Sequence, residues 1–238
     1  MSSISIVIIG DEILNGTFQD ENTPWLIQRA KELHLKITTV RIISDGLDEI
    51  AQVVAEESKR SDYVITTGGV GPTHDDLTMA GIARAFDVEL FEHPTLAELI
   101  RDKMGESSGA LRMAQVPKNT VLWPSAPNFF PQIVVQNVII FPGVPKLMKI
   151  KFNAIAERFV GTPLAKDRLF LNVREADIAE ELTDLDKELS NVVIGSYPRF
   201  DGGPVKVILT IQGLEEAEVT KAKARLAIAF TQHLVAPE

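Results

Sequence analysis

The chain has 238 residues, with 24 Lys and Arg against 33 Asp and Glu, no cysteine and a formal net charge of −9. The lack of cysteine excludes disulfides, thiol nucleophiles and cysteine-ligated metal sites, and the acidic balance argues against nucleic acid or an anionic membrane as a partner. The apolar-rich run at residues 4–9 is too short for a signal sequence or a membrane span. These features predict a globular cytoplasmic protein.

The first half of the chain alternates strand-like and helix-like patterns. Thr23 is a predicted helix N-cap and Pro24 suits the first helical position. Strands are predicted at residues 4–9, 36–43 and 63–67, and helices from Thr23 to about residue 33, over 47–59, from about 76 to 86 and over 95–103. This alternation predicts an open, mainly parallel sheet with helices on both faces.

The second half contains a predicted hairpin and a domain boundary. Two apolar runs, 133–135 and 138–141, flank Gln136 and Asn137, a plausible tight turn. Residues 105–109 read as a flexible polar loop, and residues 147–159 as a helix. Gly161, Thr162 and Pro163 predict a boundary between a domain at 1–162 and a small α+β module at 165–238 with the order β-α-β-β-α.

The most informative segment is TTGGVGPTHDDLT at residues 66–78. Gly68, Gly69 and Gly71 lie between a predicted strand and helix, where the backbone can approach an anionic ligand closely and turn its N–H groups toward it. The adjacent Asp75 and Asp76 would repel a phosphate unless a divalent cation lay between them. Alternatively, one of the two only caps the following helix.

Two neighbours of these aspartates have open roles. His74 is either a solvated loop residue or a ligand or base, and Thr73 is either a turn hydroxyl or a phosphate donor. The residue types alone do not distinguish between these roles.

A second polar cluster follows the first predicted strand. In a doubly wound sheet with strand order 2-1-3, ligands bind beyond the carboxyl ends of neighbouring strands. We therefore expect one crevice to gather polar groups from three turns, namely Gly10, Asp11, Glu12, Asp75, Asp76, Pro142 and Gly143. The alternative is three independent tight turns that need glycine for their own geometry.

Five segments carry a family resemblance: GDEILNG at 10–16, NT at 22–23, the segment at 66–78, AQVP at 114–117 and FPGVP at 141–145. They resemble the N-terminal domain of the CinA (competence/damage-inducible protein A) family, within the molybdopterin-binding MoaB/Mog-like superfamily. A similar domain occurs beside FAD synthase. The resemblance covers residues 4–160 and, more weakly, 165–238. It does not extend to the amidohydrolase or FAD synthase domains of those relatives, so neither deamidation nor FAD synthesis is expected of these residues.

The resemblance implies a three-layer α/β/α doubly wound fold, a small-molecule nucleotide or pterin ligand, and homo-oligomer formation. The implied activity is metal-dependent cleavage of ADP-ribose- or FAD-type pyrophosphates with Mg²⁺, Mn²⁺ or Co²⁺; the alternatives are molybdopterin binding or adenylylation, and a non-catalytic ligand sensor. The implied catalytic residues are Asp76, Asp75 and His74, and the implied metal ligands are Asp76, Asp75 and Glu12. The implied ligand-binding residues are Gly10, Asp11, Gly68, Gly69, Gly71, Thr73, Pro142 and Gly143.

One departure from the family pattern affects the expected ligand wall. The family usually carries an Ala-Pro-Gly step in its proline-rich segment, whereas here Ala126 and Pro127 are followed by Asn128, Phe129 and Phe130. We expect this change to reshape the wall that contacts the base or pterin.

Overall fold

The computed structural model describes residues 2–159 and 161–236. The chain forms two compact units, Met1–Gly161 and Thr162–Glu238, called here the larger and the smaller unit. No helix in the described ranges has the length and apolar character to cross a membrane.

The larger unit alternates strands and helices through most of its length. Its strands are β1 Ser3–Ile9, β2 Lys36–Ile43, β3 Tyr63–Thr67, β4 Leu90–Glu92, β5 Gln115–Pro117, β6 Val121–Trp123, β7 Gln132–Val135 and β8 Val138–Phe141. Its helices are α1 Asp11–Leu14, α2 Asn22–Glu32, α3 Leu47–Arg60, α4 Thr78–Ala85, α5 Pro94–Met104, α6 Ser108–Arg112 and α7 Pro145–Ile155, which is followed by a 3₁₀ turn at Ala156–Arg158.

The main sheet has the order β2-β1-β3-β8-β7-β6. Its first four strands run parallel, and β7 and β6 add antiparallel edges. The predicted order 2-1-3 and the hairpin between β7 and β8 are confirmed. The sheet is therefore mainly parallel, as expected.

The core lies on both faces of this sheet because successive side chains of a strand point to opposite sides. Along β1, Ile6 and Ile8 pack into a cluster with Leu26 of α2 and Phe152 of α7. Val7 and Ile9 pack on the other face, with residues of α3 and α4. Helix, sheet and helix thus form three layers, which confirms the α/β/α expectation and explains why β1 is apolar on both faces.

The predicted start of α2 was wrong. The helix begins at Asn22, so Thr23 is not its N-cap and Pro24 is not its first residue. The carboxylate of Asp20 accepts hydrogen bonds from the backbone N–H groups of Asn22 (2.9 Å) and Thr23 (3.0 Å). Glu21 occupies the N-cap position, and the Asp20 carboxylate one residue before it satisfies two of the first N–H groups of the helix.

Two further local predictions were also corrected, and one strand pair was missed. Part of the expected loop at 105–109 belongs to α6, where the Ser107 hydroxyl caps the helix by accepting from the N–H of Ala110 at 3.2 Å. Helix α4 begins at Thr78 rather than near Asp76. The small β4–β5 pair was not predicted, since its three-residue strands are too short for a periodic pattern.

The smaller unit confirms the predicted order β-α-β-β-α. Its elements are β9 Ala165–Leu171, α8 Glu175–Glu188, β10 Val192–Pro198, β11 Val207–Gly213 and α9 Glu216–Ala229, followed by a 3₁₀ turn at Thr231–His233. The antiparallel sheet has the order β10-β11-β9. Alternate residues of β11 are buried (Val207, Leu209 and Ile211) in one core with Leu226 and Phe230.

Candidate functional site

Three turns meet at the carboxyl edge of the parallel strands, beyond the ends of β1, β3 and β8. A cavity of about 500 Å³ opens there; we call it the loop pocket. Of the residues singled out by sequence, seven line it: Glu12, Gly68, Gly69, Gly71, Asp76, Pro142 and Gly143. The lining does not include the described residues Gly10, Asp11, Thr73, His74 and Asp75. The three turns therefore meet as expected. Of the four acidic residues expected in the crevice, only Glu12 and Asp76 line the pocket.

Gly68, in the turn after β3, packs directly against the end of β1. Its φ is +104°, and a Cβ atom at this position would lie 2.0 Å from the backbone oxygen of Ile9. A Cβ on Gly143 would lie 3.2 Å from the Cα of Gly68, and the N–H of Gly68 donates to the oxygen of Phe141 at 3.2 Å. Only glycine allows the ends of β1, β3 and β8 to approach this closely.

Asp76 stabilises the glycine loop, residues 68–71, through hydrogen bonds between its side chain and the loop backbone. Its carboxylate accepts hydrogen bonds from the backbone N–H of Gly71 at 2.7 Å and of Thr73 at 2.9 Å, and from the Thr73 hydroxyl. Asp76 thus caps the turn that precedes it rather than helix α4, which begins two residues later. This bonding leaves its carboxylate at the wall of the loop pocket.

Asp75 and His74 lie on the outer side of the same turn. Their side chains are 70% and 95% exposed, and the His74 Nδ1 is 3.9 Å from a carboxylate oxygen of Asp75. Both groups are therefore accessible to solvent and lie outside the pocket lining.

Asp45 is an acidic residue that the sequence reasoning missed. Its carboxylate accepts the N–H of Asp11 at 2.9 Å. Burial raises the pKa of Asp45, and the negative charges of Glu12, Asp11 and Asp75 raise it further. Asp45 follows the end of β2, the parallel neighbour of β1, so the argument from strand ends that selected Asp11 would have found it.

Asn22 is the second missed residue, and it is buried. Its Nδ2 donates to the backbone oxygen of Gly143 at 2.8 Å and to the hydroxyl of Thr67 at 3.2 Å. Because a carbonyl oxygen can only accept, these bonds fix the orientation of the amide. Oδ1 is then left buried with no hydrogen-bond partner in the described part of the chain, and Asn22 lines the loop pocket.

The loop pocket combines negative side chains with backbone donors. The described residues that line it include four acids (Glu12, Asp20, Glu21 and Asp76) and no Lys, Arg or His. No hydrogen bond from the N–H of Gly69 or Val70 is formed within residues 2–159 and 161–236. Because the described lining has no cationic side chain, attraction for an anion would come from neutral donors, namely backbone N–H groups and the Gln19 amide, or from a bound cation.

The acidic side chains do not form a complete protein cage for a metal. Within the described ranges, no three His, Asp or Glu residues are placed to hold one ion. Glu12 and Asp76 nevertheless share the pocket wall. That arrangement fits Mg²⁺, which is commonly bound by one or two carboxylates plus substrate phosphates.

Each of the two units matches a known protein family. Residues 5–162 match the family described as probable molybdopterin binding domain, and residues 163–238 match the FAD synthase middle domain. The chain belongs to the probable molybdopterin binding domain family. Family membership confirms the superfamily resemblance seen in the glycine-rich motif.

Relatives of this family member carry two kinds of name. A probable FAD synthase of Caenorhabditis elegans is 33% identical over 92% of this chain and 48% of its own length. A CinA-like protein of Prochlorococcus marinus is 31% identical over 90% of this chain and 54% of its own length. The chain thus spans about half the length of each of these two relatives. A protein of Archaeoglobus fulgidus is 32% identical, and the match covers 91% of this chain and 93% of that protein.

A solved structure supports the fold of the larger unit. The crystal structure of the protein CinA with unknown function from Thermoplasma acidophilum superposes with a TM-score of 0.61 and 28% identity. The match covers 66% of this chain and 99% of that one. Together with the CinA-like relatives, it confirms the resemblance to CinA.

Proposed function

We propose that the larger unit is a metal-dependent nucleotide pyrophosphatase whose loop pocket binds the diphosphate of an ADP-ribose- or FAD-type ligand. The observation that carries this proposal is the glycine loop: Gly69 and Val70, whose N–H groups form no hydrogen bond within the described residues, line a pocket whose four acidic side chains include Glu12 and Asp76. Backbone donors suit phosphate oxygens, and the carboxylates suit a cation that arrives with them.

In this proposal Glu12 and Asp76 hold the metal. Mg²⁺, Mn²⁺ or Co²⁺ would neutralise developing charge and lower the pKa of bound water. Asp76 also keeps the loop in its binding shape through Gly71 and Thr73. Its position in the lining supports a metal role better than the positions of Asp75 and His74, whose exposed side chains lie outside the lining. Asp75 as a second metal carboxylate and His74 as an auxiliary base stay secondary proposals.

The reaction would transfer one phosphoryl group to water. The water oxygen bonds to a phosphorus atom and releases a proton to the solvent, the bond from that atom to the bridging oxygen breaks, and the bridging oxygen leaves with the other phosphate. Cleavage of ADP-ribose then gives AMP and ribose 5-phosphate, and cleavage of FAD gives AMP and FMN.

The test is AMP release from ADP-ribose and from FAD with each of Mg²⁺, Mn²⁺ and Co²⁺. We expect turnover by the native chain, a loss of at least tenfold for Glu12→Gln and Asp76→Ala, and native turnover for the matched control Glu106→Gln, an exposed acid outside the pocket. Absence of turnover with every metal, or native activity in Asp76→Ala, would overturn the proposal.

A second candidate is a molybdopterin-binding or adenylylating protein, which the family description favours. It predicts tight pterin binding with little dinucleotide hydrolysis. Calorimetric titration with molybdopterin separates the two functions, and a flat trace removes this second one.

A further inference from the structure

The antiparallel sheet of the smaller unit has two edge strands, and they differ in how well they are protected. At the β9 edge, Lys166, Asp167 and Arg168 carry charges, and the N–H of Val235 donates to the oxygen of Phe170 at 2.9 Å. Charges and a covering segment discourage an edge from pairing with another chain. The opposite edge, β10, has the sequence VVIGSYP without a charged residue, and no further strand pairs with it within the described residues.

The backbone of β10 leaves the polar groups of two residues unpaired. In an antiparallel pair, residues that exchange hydrogen bonds alternate with residues that do not. The N–H of Arg199, directly after β10, donates to the oxygen of Lys206 at 2.8 Å, so the odd-numbered residues of β10 bond to β11. The N–H and C=O groups of Ile194 and Ser196 therefore point away from β11, and no backbone partner for them lies within the described ranges.

The side chains of β10 on the face opposite the buried core are apolar. Val193 is 72% exposed and Tyr197 is 55% exposed, and Gly195 lies between them on the same face. A Cβ atom on Gly195 would lie 2.8 Å from Cε2 of Tyr197, so the glycine lets this ring lie along the strand. Glycine inside a strand often marks a site where another backbone approaches closely.

We propose that β10 is a dimer interface, which pairs antiparallel with β10 of a second copy of this chain about a two-fold axis at Gly195. This register places Ile194 opposite Ser196 of the partner subunit, and the symmetry repeats the pair. Each pair exchanges two hydrogen bonds, so the free N–H and C=O groups of both residues are satisfied. The two sheets become one sheet of six strands, independently of the function proposed for the loop pocket.

The side chains favour this register over its neighbours. Val193 lies opposite Tyr197 of the partner subunit, in a pair without mutual hydrogen bonds, where side chains are closest and the Cα atoms are roughly 4.5 Å apart. The two exposed apolar side chains thus cover each other, and Gly195 leaves room at the axis for both tyrosine rings. A shift by two residues would place Val193 opposite Gly195 or Arg199 instead.

Charge complementarity supports a second copy as the occupant. Just beyond the strand, the proposed register places Arg199 opposite Asn191 of the partner subunit. The Nδ2 of Asn191 donates to the carboxylate of Glu218 at 3.1 Å, so a cation of one copy lies beside an anion of the other at both ends of the interface. The strands between them carry no charge, and no like charges oppose each other.

Sedimentation velocity of the full chain at increasing concentration tests the dimer. We expect a reversible monomer–dimer equilibrium with a Kd on the order of 10 µM, because one strand pair is smaller than a standard interface. Ser196→Pro removes an edge N–H without breaking a bond to β11, and it should weaken association about tenfold or more, since every dimer loses two hydrogen bonds. Ser196→Ala is the matched control, because it keeps the N–H and loses a hydroxyl that has no partner within the described residues.

A second pair of variants tests the side-chain contact. Val193→Glu places a charge against Tyr197 of the partner subunit and should also weaken association about tenfold or more. The matched control is Ile228→Glu, because Ile228 is 71% exposed on helix α9. This control should leave the Kd unchanged.

Cross-linking tests the register, since the chain has no cysteine of its own. A mixture of the Val193→Cys and Tyr197→Cys proteins should form a disulfide-linked dimer under mild oxidation, because opposed Cα atoms fall within disulfide range, up to roughly 6.8 Å. Neither variant alone should do so, because identical residues lie four positions apart across the interface, about 13 Å. Ile228→Cys measures the background from chance collisions.

The possible outcomes either support or overturn the proposal. A monomer at every concentration would overturn it, and so would a dimer that both Ser196→Pro and Val193→Glu leave unchanged, since another surface would then form the contact. Disulfide formation by Val193→Cys alone, above the Ile228→Cys background, would reject the register. If circular dichroism shows that Ser196→Pro does not fold, Val193→Glu and the mixed cross-link decide.

Discussion

The Nδ2 of Asn22 donates a hydrogen bond of 2.8 Å to the backbone oxygen of Gly143, a residue 121 positions along the chain. The same amide group reaches the hydroxyl of Thr67, at the end of β3. One side chain thus joins the start of α2 to the ends of two parallel strands. Its other polar atom, Oδ1, is buried and has no hydrogen-bond partner within the described part of the chain, although Asn22 itself lines the loop pocket.

Asn22→Ala is expected to weaken both folding and ligand binding. Removing the amide leaves the oxygen of Gly143 without its donor, which costs about 1–3 kcal/mol. Urea denaturation measures the loss of unfolding free energy, and calorimetry measures the loss of ADP-ribose affinity. The matched change Asn153→Ala, at an exposed position of α7, should stay within about 0.5 kcal/mol of the native chain. Equal losses in the two variants would contradict the linking role of Asn22.

Gly68→Ala is expected to be among the most costly single changes in the larger unit. The new Cβ would meet the oxygen of Ile9 at 2.0 Å, in addition to the strain of a positive φ. Gly16 is the control, since it has φ +75° and no atom within 4 Å of the built Cβ. Strain alone should cost Gly16→Ala about 1 kcal/mol, while strain and clash together should cost Gly68→Ala roughly 3 kcal/mol. Equal unfolding free energies for the two variants would show that the close approach is not limiting.

Asp76→Ala is expected to loosen the glycine loop, and Asp75→Ala is not. Only Asp76 accepts the N–H groups of Gly71 and Thr73. Amide hydrogen exchange at these two positions should therefore accelerate in Asp76→Ala and remain native in Asp75→Ala. The affinity for ADP-ribose should fall at least tenfold in the first variant, about 1.4 kcal/mol. Unchanged exchange in Asp76→Ala would contradict its structural role, whatever the activity.

Lys151 should give the native chain a stability that increases with pH in the alkaline range. Burial lowers its pKa from 10.5 to about 8, so between these values the unfolded chain binds more protons than the folded one. The free energy of unfolding, measured relative to Lys151→Met, should therefore rise with pH from about 8 to 10.5, by up to roughly 3 kcal/mol. Urea denaturation at several pH values checks this. A difference between the two chains that is flat with pH would mean that Lys151 stays charged in the fold.

The local sequence was sufficient for most elements of the fold. The bounds of β2 and β3 match the prediction because both segments are rich in β-branched residues and are followed by glycine-containing turns. The start of α2 was missed because Asp20 and Thr23 are both good capping residues, and the choice depends on the path of the chain before the helix. The start of α4 was missed because Asp76 turns back to bind Gly71 and Thr73.

By itself, the sequence determined the three-layer arrangement, the order of the first strands and the edge at which the glycine turns gather. The alternation of strand and helix patterns predicted the mainly parallel sheet with helices on both faces, the family resemblance implied the three-layer fold, and the order 2-1-3 is that of the doubly wound class. Only the tertiary structure decided which acidic residues face the pocket. Asp11 is tied to Asp45 through its backbone N–H and Asp75 points to solvent, while Glu12 and Asp76 form the wall. Adjacent side chains in a turn leave the backbone in different directions, and the hydrogen bonds formed in the folded loop decide which of them lines the pocket.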